Sequence, residues 1–591
     1  MTKTTASKAP VKDSKIASRL PIIYWLRHYT RADFSSDLFA GVITAILLVP
    51  QGIAYAMLAG LPPHVGLYAS ILPPAIYAVF GTSRVLSVGP VSIAAIMIAS
   101  ALSAPEISAQ GDPVINSLVL AAESGAILLI MALFKSGTLV NFISHPVLTG
   151  FTSGAALLII FSQIGSLLGL GDISDCTGNF SCYFDAIRSV ELSTTIVGIS
   201  SIVALLFFKF GVTPLLQRMG VHPNVITAIT RSGPFLVVLT GGWLIAASEL
   251  GESGVIATVG AIPSGLPVLN MNVLTADTWR LLLPSAFFIA LIAYVESIAI
   301  AKVTANFKRQ RIDPNQELGA LGAANLAAAV TGGMPVAGGF SRTMVNYSAG
   351  AVTPMAAIIA AGLLALSVIF FTDSFELILK TSLAAVILVA IAPLVKLTAI
   401  PVTLRFNPAD GVAEGLTFLG VLAFGIEEGL ALGITVSLLS HLWRTSKPHI
   451  AIVGQIPNTE HFRNIKRHSV KTWPELLMVR IDENLSFANS AFIDDFIQTE
   501  IAGRPKLQHL VLLFTSVSHI DATALEALEN LVESLRVQSV TVHLSEVKGP
   551  VMDHLKLTNF LEKLSPGKVF FRNADAVGTL VIQDRSTKAV E

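Results

Sequence analysis

A lone arginine, Arg342, sits in Gly338-Gly-Phe-Ser-Arg-Thr343, just inside a short apolar stretch that opens after a glycine- and proline-rich break. A cation at membrane depth is costly, so it marks a site. A helix that begins there points unpaired N–H groups beyond its end, at the positive pole of its dipole. Arg342, Ser341 and the N–H groups of residues 341–343 therefore describe a small anion site. The guanidinium supplies charge and a forked pair of donors that suits an oxyanion. Ser92 and the N–H groups after Pro90 form a second donor set. Gln51 and Tyr55, four residues apart in an apolar run, share one helix face. They can bind the same ligand or glue neighbouring helices. Glu296, in Ala293-Tyr-Val-Glu-Ser-Ile-Ala-Ile-Ala-Lys302, is a carboxyl deep in an apolar run. It suits a proton carrier, protonated as an anion binds and released as it leaves, or a fixed partner of Arg342 or Lys302. Glu123 is a rival carboxylate in a weaker context. Asn141, His145 and Pro146 lie at a span edge and read as structural.

Positioning such a site takes a membrane. Of 591 residues, 53% are hydrophobic and only 13% charged, and the formal net charge is zero. Mean hydropathy is +0.69. This excludes an ordinary soluble protein, and nothing in the charge points to nucleic acid. Residues 1–36 are polar and mixed in charge, without a signal peptide pattern. Apolar spans fall near 37–57, 65–80, 91–104, 117–134, 147–170, 193–210, 232–248, 279–301, 318–331, 341–351, 354–372, 376–397, 410–425 and 428–443, about fourteen in all. Arg19, Arg27 and Arg31 place the N-terminus inside; Lys302, Lys308, Arg309 and Arg311 place that connection inside; Arg444 and Lys447 do the same for the C-terminus. The loops 171–192 and 249–278, poor in Lys and Arg, belong outside.

The third and tenth spans are too short to cross alone. Each follows a helix-breaking lead-in, Gly81-Thr-Ser-Arg-Val-Leu-Ser-Val-Gly-Pro90 and Gly332-Gly-Met-Pro-Val-Ala-Gly-Gly339. Matched interrupted segments in two halves predict an inverted repeat whose two helix N-termini face each other at mid-membrane, with the site between them. The two cysteines, Cys176 and Cys182, share a polar loop and form a bridge or stay as separate thiols. No metal-ligand spacing and no nucleophile–base constellation appears, which disfavours an enzyme and calls for no cofactor. From about 449 onward, charge returns and apolar runs shorten. Segments 476–481, 509–514 and 540–544 read as strands, 522–536 and 551–558 as amphipathic helices. This is a small α/β domain without a glycine-rich phosphate loop.

Seven segments in order carry a resemblance: Val49-Pro-Gln-Gly-Ile-Ala-Tyr-Ala56, Gly60-Leu-Pro-Pro-His-Val-Gly-Leu-Tyr68, Gly81-Thr-Ser-Arg84, Ser87-Val-Gly-Pro90, Glu296-Ser-Ile-Ala-Ile-Ala-Lys302, Asp313-Pro-Asn-Gln-Glu-Leu318 and Gly339-Phe-Ser-Arg342. Over nearly its whole length the chain resembles the SulP family of anion transporters, the sulfate permeases and their solute-carrier relatives. The resemblance implies a seven-plus-seven inverted-repeat membrane fold like that of uracil permeases. In that fold a core domain carries the anion past a gate domain in an elevator-like step. It also implies a homodimer and a cytoplasmic STAS domain with a regulatory protein as partner. Gln51, Tyr55, Val91, Ser341 and Arg342 match substrate-cavity positions, with Ser92 and Phe340 beside them. Glu296 matches the acidic position tied to proton coupling. The chain departs from the family's bicarbonate members, which use sodium and an aspartate there. In anti-sigma antagonist STAS domains a serine follows the first-helix aspartate; here Ala522 follows Asp521, and Thr523 is a poor substitute.

The expected organisation is a cytoplasmic segment 1–36, a transport domain 37–445 and a STAS domain 449–584, in the cell membrane with both termini cytoplasmic. The expected activity is proton-coupled sulfate uptake. Bicarbonate or C4-dicarboxylate transport, anion exchange and channel conduction on the same fold are the alternatives.

Overall fold

The structure is a computed structural model that describes residues 20–138, 143–170, 190–248, 256–269 and 277–587. The cysteine pair, Asn141 and Arg19 fall outside those residues. The chain divides into two compact units, Met1–Ser437 and Leu438–Glu591.

Among the described residues the first unit is mainly helical, with one two-stranded ribbon. Its long first helix, Arg31–Leu58, starts at a capping box: Thr30 Oγ1 accepts from Asp33 N at 3.2 Å, and the Asp33 carboxylate accepts from Thr30 N at 3.0 Å. Helix lies within each apolar segment read from the sequence. Among the described residues six helices are long and apolar enough to cross a bilayer. A bent pair at Val225–Arg231 and Gly233–Ala246, kinked by 52°, makes a seventh span if taken as one. The segment 65–80 is two helices, Pro63–Tyr68 and Leu72–Phe80, because Pro73 and Pro74 cannot continue the first and are tolerated in the opening turn of the second.

Small residues let these helices close on one another. Helices Pro113–Leu133 and Pro314–Val330 cross at Gly125 and Gly322, where a Cβ on either would stand 2.9 Å from the other's carbonyl oxygen. Helices His145–Leu168 and Pro408–Phe424 meet at Gly150, where a Cβ would come within 2.3 Å of Glu414 O. The helices fall into two packed groups. One holds Arg31–Leu58, Ser92–Ser103, Pro113–Leu133, Trp279–Lys308, Pro314–Val330, Phe340–Ser348 and Met355–Phe370. The other holds His145–Leu168, Leu192–Arg218, Gly233–Ala246, Lys380–Ile391 and Pro408–Phe424.

The ribbon joins the two interrupted lead-ins. Strand β1 (Val88–Gly89) pairs antiparallel with β2 (Ala337–Gly338), Val88 opposite Gly338 and Gly89 opposite Ala337. Each strand runs directly into a short helix, Ser92–Ser103 or Phe340–Ser348.

The second unit is a six-stranded sheet in the order β4-β3-β5-β6-β7-β8. Strands β5 (Leu476–Ile481), β6 (His509–Leu513), β7 (Thr541–Ser545) and β8 (Val569–Phe570) are parallel; β3 (Ile450–Gln455) runs antiparallel to β5 and β4 (Phe462–Asn464). The expected strands and helices are present. Strands β3, β4 and β8 go beyond that expectation: β4 and β8 are three and two residues long, too short to show a period. Apolar clusters cover both sheet faces, as a parallel sheet requires. Asp521 caps the helix Ala522–Val537 by accepting from Ala524 N at 2.8 Å and also accepts from Phe487 N at 2.8 Å, tying two loops together.

On the face carrying Phe570, His543 is 2% exposed. Its Nδ1 accepts from Lys568 N at 3.1 Å, so Nε2 carries the proton and donates to His509 Nδ1 at 3.2 Å. Burial, then His509 and Lys568, push the His543 imidazole down to about 4. A base depressed in the folded state contributes stability that is present above the unfolded value of about 6.5 and is lost as pH falls toward the folded one. We expect thermal unfolding of this domain, followed in the full chain, to shift to lower temperature between those two pH values, and the shift to shrink in His543→Phe.

Candidate anion site

Arg342 lies in the first turn of Phe340–Ser348 and is 1% exposed. Its guanidinium lies against the ribbon between two glycines. A Cβ at Gly89 would come 3.3 Å from Nη1, and one at Gly339 would come 3.0 Å from Nη2. Nη1 donates to Pro90 O at 2.6 Å, so the arginine of one short helix holds the lead-in of the other. Nε and Nη2 have no hydrogen-bond partner. A buried arginine with an unused donor pair is costly unless a ligand completes it.

Around it stand residues from three further helices. Tyr55, on the first long helix, is in electrostatic range of Arg342 and Glu296 and close to Ser92. Gln51, one turn earlier, is buried with Oε1 unpartnered. Glu296 is half-buried on Trp279–Lys308, and its Oε2 has no partner. Arg342 and Glu296 thus attract one another with free atoms on both, instead of closing a permanent pair. Phe340 and Ser341 are exposed and, with Gln51, line a cavity of about 1080 Å³. The far wall of that cavity includes Leu205, Phe208 and Val386 of the other helix group, with Arg231 and Lys396 beside them.

The structure therefore splits the residues singled out in the sequence. Gln51, Phe340 and Ser341 face the cavity; Arg342, Tyr55 and Glu296 lie behind them. Val91 is the N-cap of Ser92–Ser103 and packs in a small apolar cluster with Ala94, Ala293 and Ala337. Of the three amides expected to donate at residues 341–343, that of Thr343 is already bonded to Gly339 O at 3.0 Å. The amides before it lie outside the helical ladder. Glu123 is buried on Pro113–Leu133 with Oε2 unpartnered.

Several residues that hold this geometry were not singled out. Thr343 Oγ1 accepts from Ser87 N at 3.0 Å, and Asn346 Nδ2 donates to Val85 O at 2.9 Å, so the second short helix also grips the first lead-in. Asn325 accepts from Val336 N at 2.9 Å and donates to Val336 O at 3.0 Å, fixing the second lead-in. Glu317 accepts from Tyr77 OH, Thr82 N, Thr82 Oγ1 and Ser83 N at 2.6–3.1 Å, fixing the start of the first. Asp37 accepts from Val352 N at 2.7 Å and Thr353 Oγ1 at 2.5 Å, which ties the chain leaving the second short helix to the first long one. The available signal was polarity inside apolar runs, most clearly at Asn325.

A helical membrane-type unit of this arrangement, followed by this α/β unit, is the fold of SLC26 transporters. SLC26A9 superposes with a TM-score of 0.86 at 22% identity, covering 100% of this chain and 98% of that one. The transmembrane domain of the cyanobacterial bicarbonate transporter BicA gives 0.56 at 18% identity, over 70% of this chain and 98% of that one. The chain belongs to the sulfate permease family, whose model matches residues 34–414, with a STAS domain over 467–576. Curated relatives include sulfate transporter 4.1 (chloroplastic) of Arabidopsis thaliana, 30% identical over 95% of this chain and 82% of its own length. A probable sulfate transporter of Mycobacterium tuberculosis is 32% identical over 94% of this chain and 97% of its own. These relatives are transporters, not enzymes.

Proposed function

We propose that the protein is a secondary active transporter that takes up sulfate with protons. The observation that carries this reading is the buried Arg342 guanidinium, which has two N–H donors free inside the apolar unit. Sulfate meets Nε and Nη2 in the fork geometry that arginine offers. Ser341 and the first-turn amides on either side of the ribbon complete its shell, and Gln51 and Phe340 line the approach. Glu296 takes the proton, which offsets part of the charge carried. Sulfate as the substrate is supported by the names of the relatives.

The membrane unit is read as fourteen spans in a seven-plus-seven inverted repeat, over about residues 37–445, with both termini cytoplasmic. The antiparallel ribbon between the two lead-ins supports this reading. Translocation is an elevator-like movement of one helix group against the other; the site rests on the first group while the second supplies part of the cavity's far wall. The protein is read as a homodimer in the cell membrane, with a STAS domain over about 449–584 as the seat of a regulatory partner.

The test is uptake of labelled sulfate into proteoliposomes under an imposed inward proton gradient, with sodium varied separately. Accumulation that follows the proton gradient and ignores sodium is expected. Folded protein that takes up bicarbonate or a dicarboxylate, but no sulfate, would keep the anion site and replace the substrate. Conduction without accumulation would replace the transporter with a channel.

A further inference from the structure

Glu296 is followed by Ser297, which is fully buried and turned about 100° further round the same helix. The Ser297 hydroxyl donates to Ala293 O at 2.5 Å and accepts from Gly338 N at 2.7 Å. Gly338 belongs to β2 and precedes Arg342 by four residues. Its neighbour Gly339 donates to Ser87 O at 3.1 Å, and a Cβ at Gly338 would stand 2.7 Å from Leu86. The strand is thus gripped from both sides. The first lead-in closes one edge of the grip, and the Ser297 hydroxyl from the Glu296 helix holds the other.

We propose that Ser297 is a positioning residue that couples the protonation state of Glu296 to the anion affinity of Arg342. This rests on the reading of those two residues given above. The charged and titratable groups facing Glu296 are Arg342 on the second short helix and Tyr55 on the first long helix. Both report its charge through space; Ser297 adds a hydrogen bond from its helix to the strand that leads to Arg342, beside the apolar contact of Ala293 with Ala337. When Glu296 loses or gains its proton, its attraction to Arg342 changes and the two elements are drawn together or released. The Ser297–Gly338 bond makes that displacement one movement of helix and strand. Alanine at this position leaves the Gly338 N–H buried without an acceptor and frees β2 from the helix. The site is then looser, and its affinity follows the Glu296 proton less closely.

The experiment measures equilibrium binding of labelled sulfate to the full-length protein in detergent, at an acidic and a neutral pH, for wild type, Ser297→Ala, Ser297→Cys and Arg342→Ala. We expect Ser297→Ala to weaken sulfate binding about 10-fold and to flatten the difference between the two pH values. Ser297→Cys, with similar volume and a weaker acceptor, shows the same two effects to a smaller degree. It carries the test if the alanine variant does not fold. A folded alanine or cysteine variant with wild-type affinity and wild-type pH dependence overturns the proposal. So does a loss of affinity with the pH dependence intact, which would mark Ser297 as structural only. Arg342→Ala separates the two readings. If it binds sulfate as wild type does, the anion site itself is wrong; if it loses binding while the Ser297 variants do not change, only the coupling role fails.

Discussion

Arg342→Ala abolishes measurable sulfate uptake, with binding weakened about 100-fold or more. Hydrogen bonds to a charged group contribute about 1.5–3 kcal/mol each, and two such donors are free here. A loss of about 3 kcal/mol is more than a hundredfold in affinity. The substitution also removes the 2.6 Å bond from Nη1 to Pro90 O, so the two lead-ins lose one of their ties. Arg342→Lys separates these contributions. Lysine keeps the charge but not the planar fork, and it has one head group to share between Pro90 O and the anion. It retains some binding and loses discrimination among oxyanions. Both variants are measured by sulfate binding and by uptake in proteoliposomes. Alanine with unchanged affinity would remove Arg342 from the site.

Glu296→Gln loses gradient-driven accumulation and keeps sulfate exchange. Glutamine fills the same space and retains a hydrogen-bonding head but cannot carry a proton. With one proton moved per sulfate and no membrane potential, each unit of pH gradient drives about tenfold accumulation, since one unit is worth about 1.4 kcal/mol. In the variant the ratio falls to about one, the value without coupling. Exchange of internal for external sulfate needs only the Arg342 site and the movement that presents it to either side. The two assays on one preparation decide the matter: accumulation that survives the substitution would assign the proton to another carboxyl, with Glu123 first in line.

Chemistry of individual residues was legible without the fold. Arg342 in an apolar segment, Glu296 deep in another and the polar pair Gln51 and Tyr55 are each too costly in a membrane to lack a purpose. The breaks were legible too, because proline and glycine act locally on the backbone. The pairing of the two breaks was expected from their matched places in the two halves. The STAS core strands were readable because buried parallel strands are continuous apolar runs, whereas edge strands such as β4 carry almost no pattern.

What stayed hidden were the contacts between residues far apart in the chain. Asn325, Thr343, Asn346 and Ser297 each hold a lead-in by its backbone, and a backbone partner leaves no trace in side-chain type. Nor could spacing tell that Ser341 faces the cavity while Arg342 turns inward, since helical phase has meaning only once neighbouring helices are in place. The sequence by itself determined the membrane character, the arginine and the acid inside apolar segments, and the α/β domain that follows, because burying charge and breaking helices carry large local energies. The tertiary structure alone decided that the arginine of one short helix is tied to the other's lead-in while two of its donors stay free, because that arrangement depends on two strands from opposite halves of the chain meeting in register.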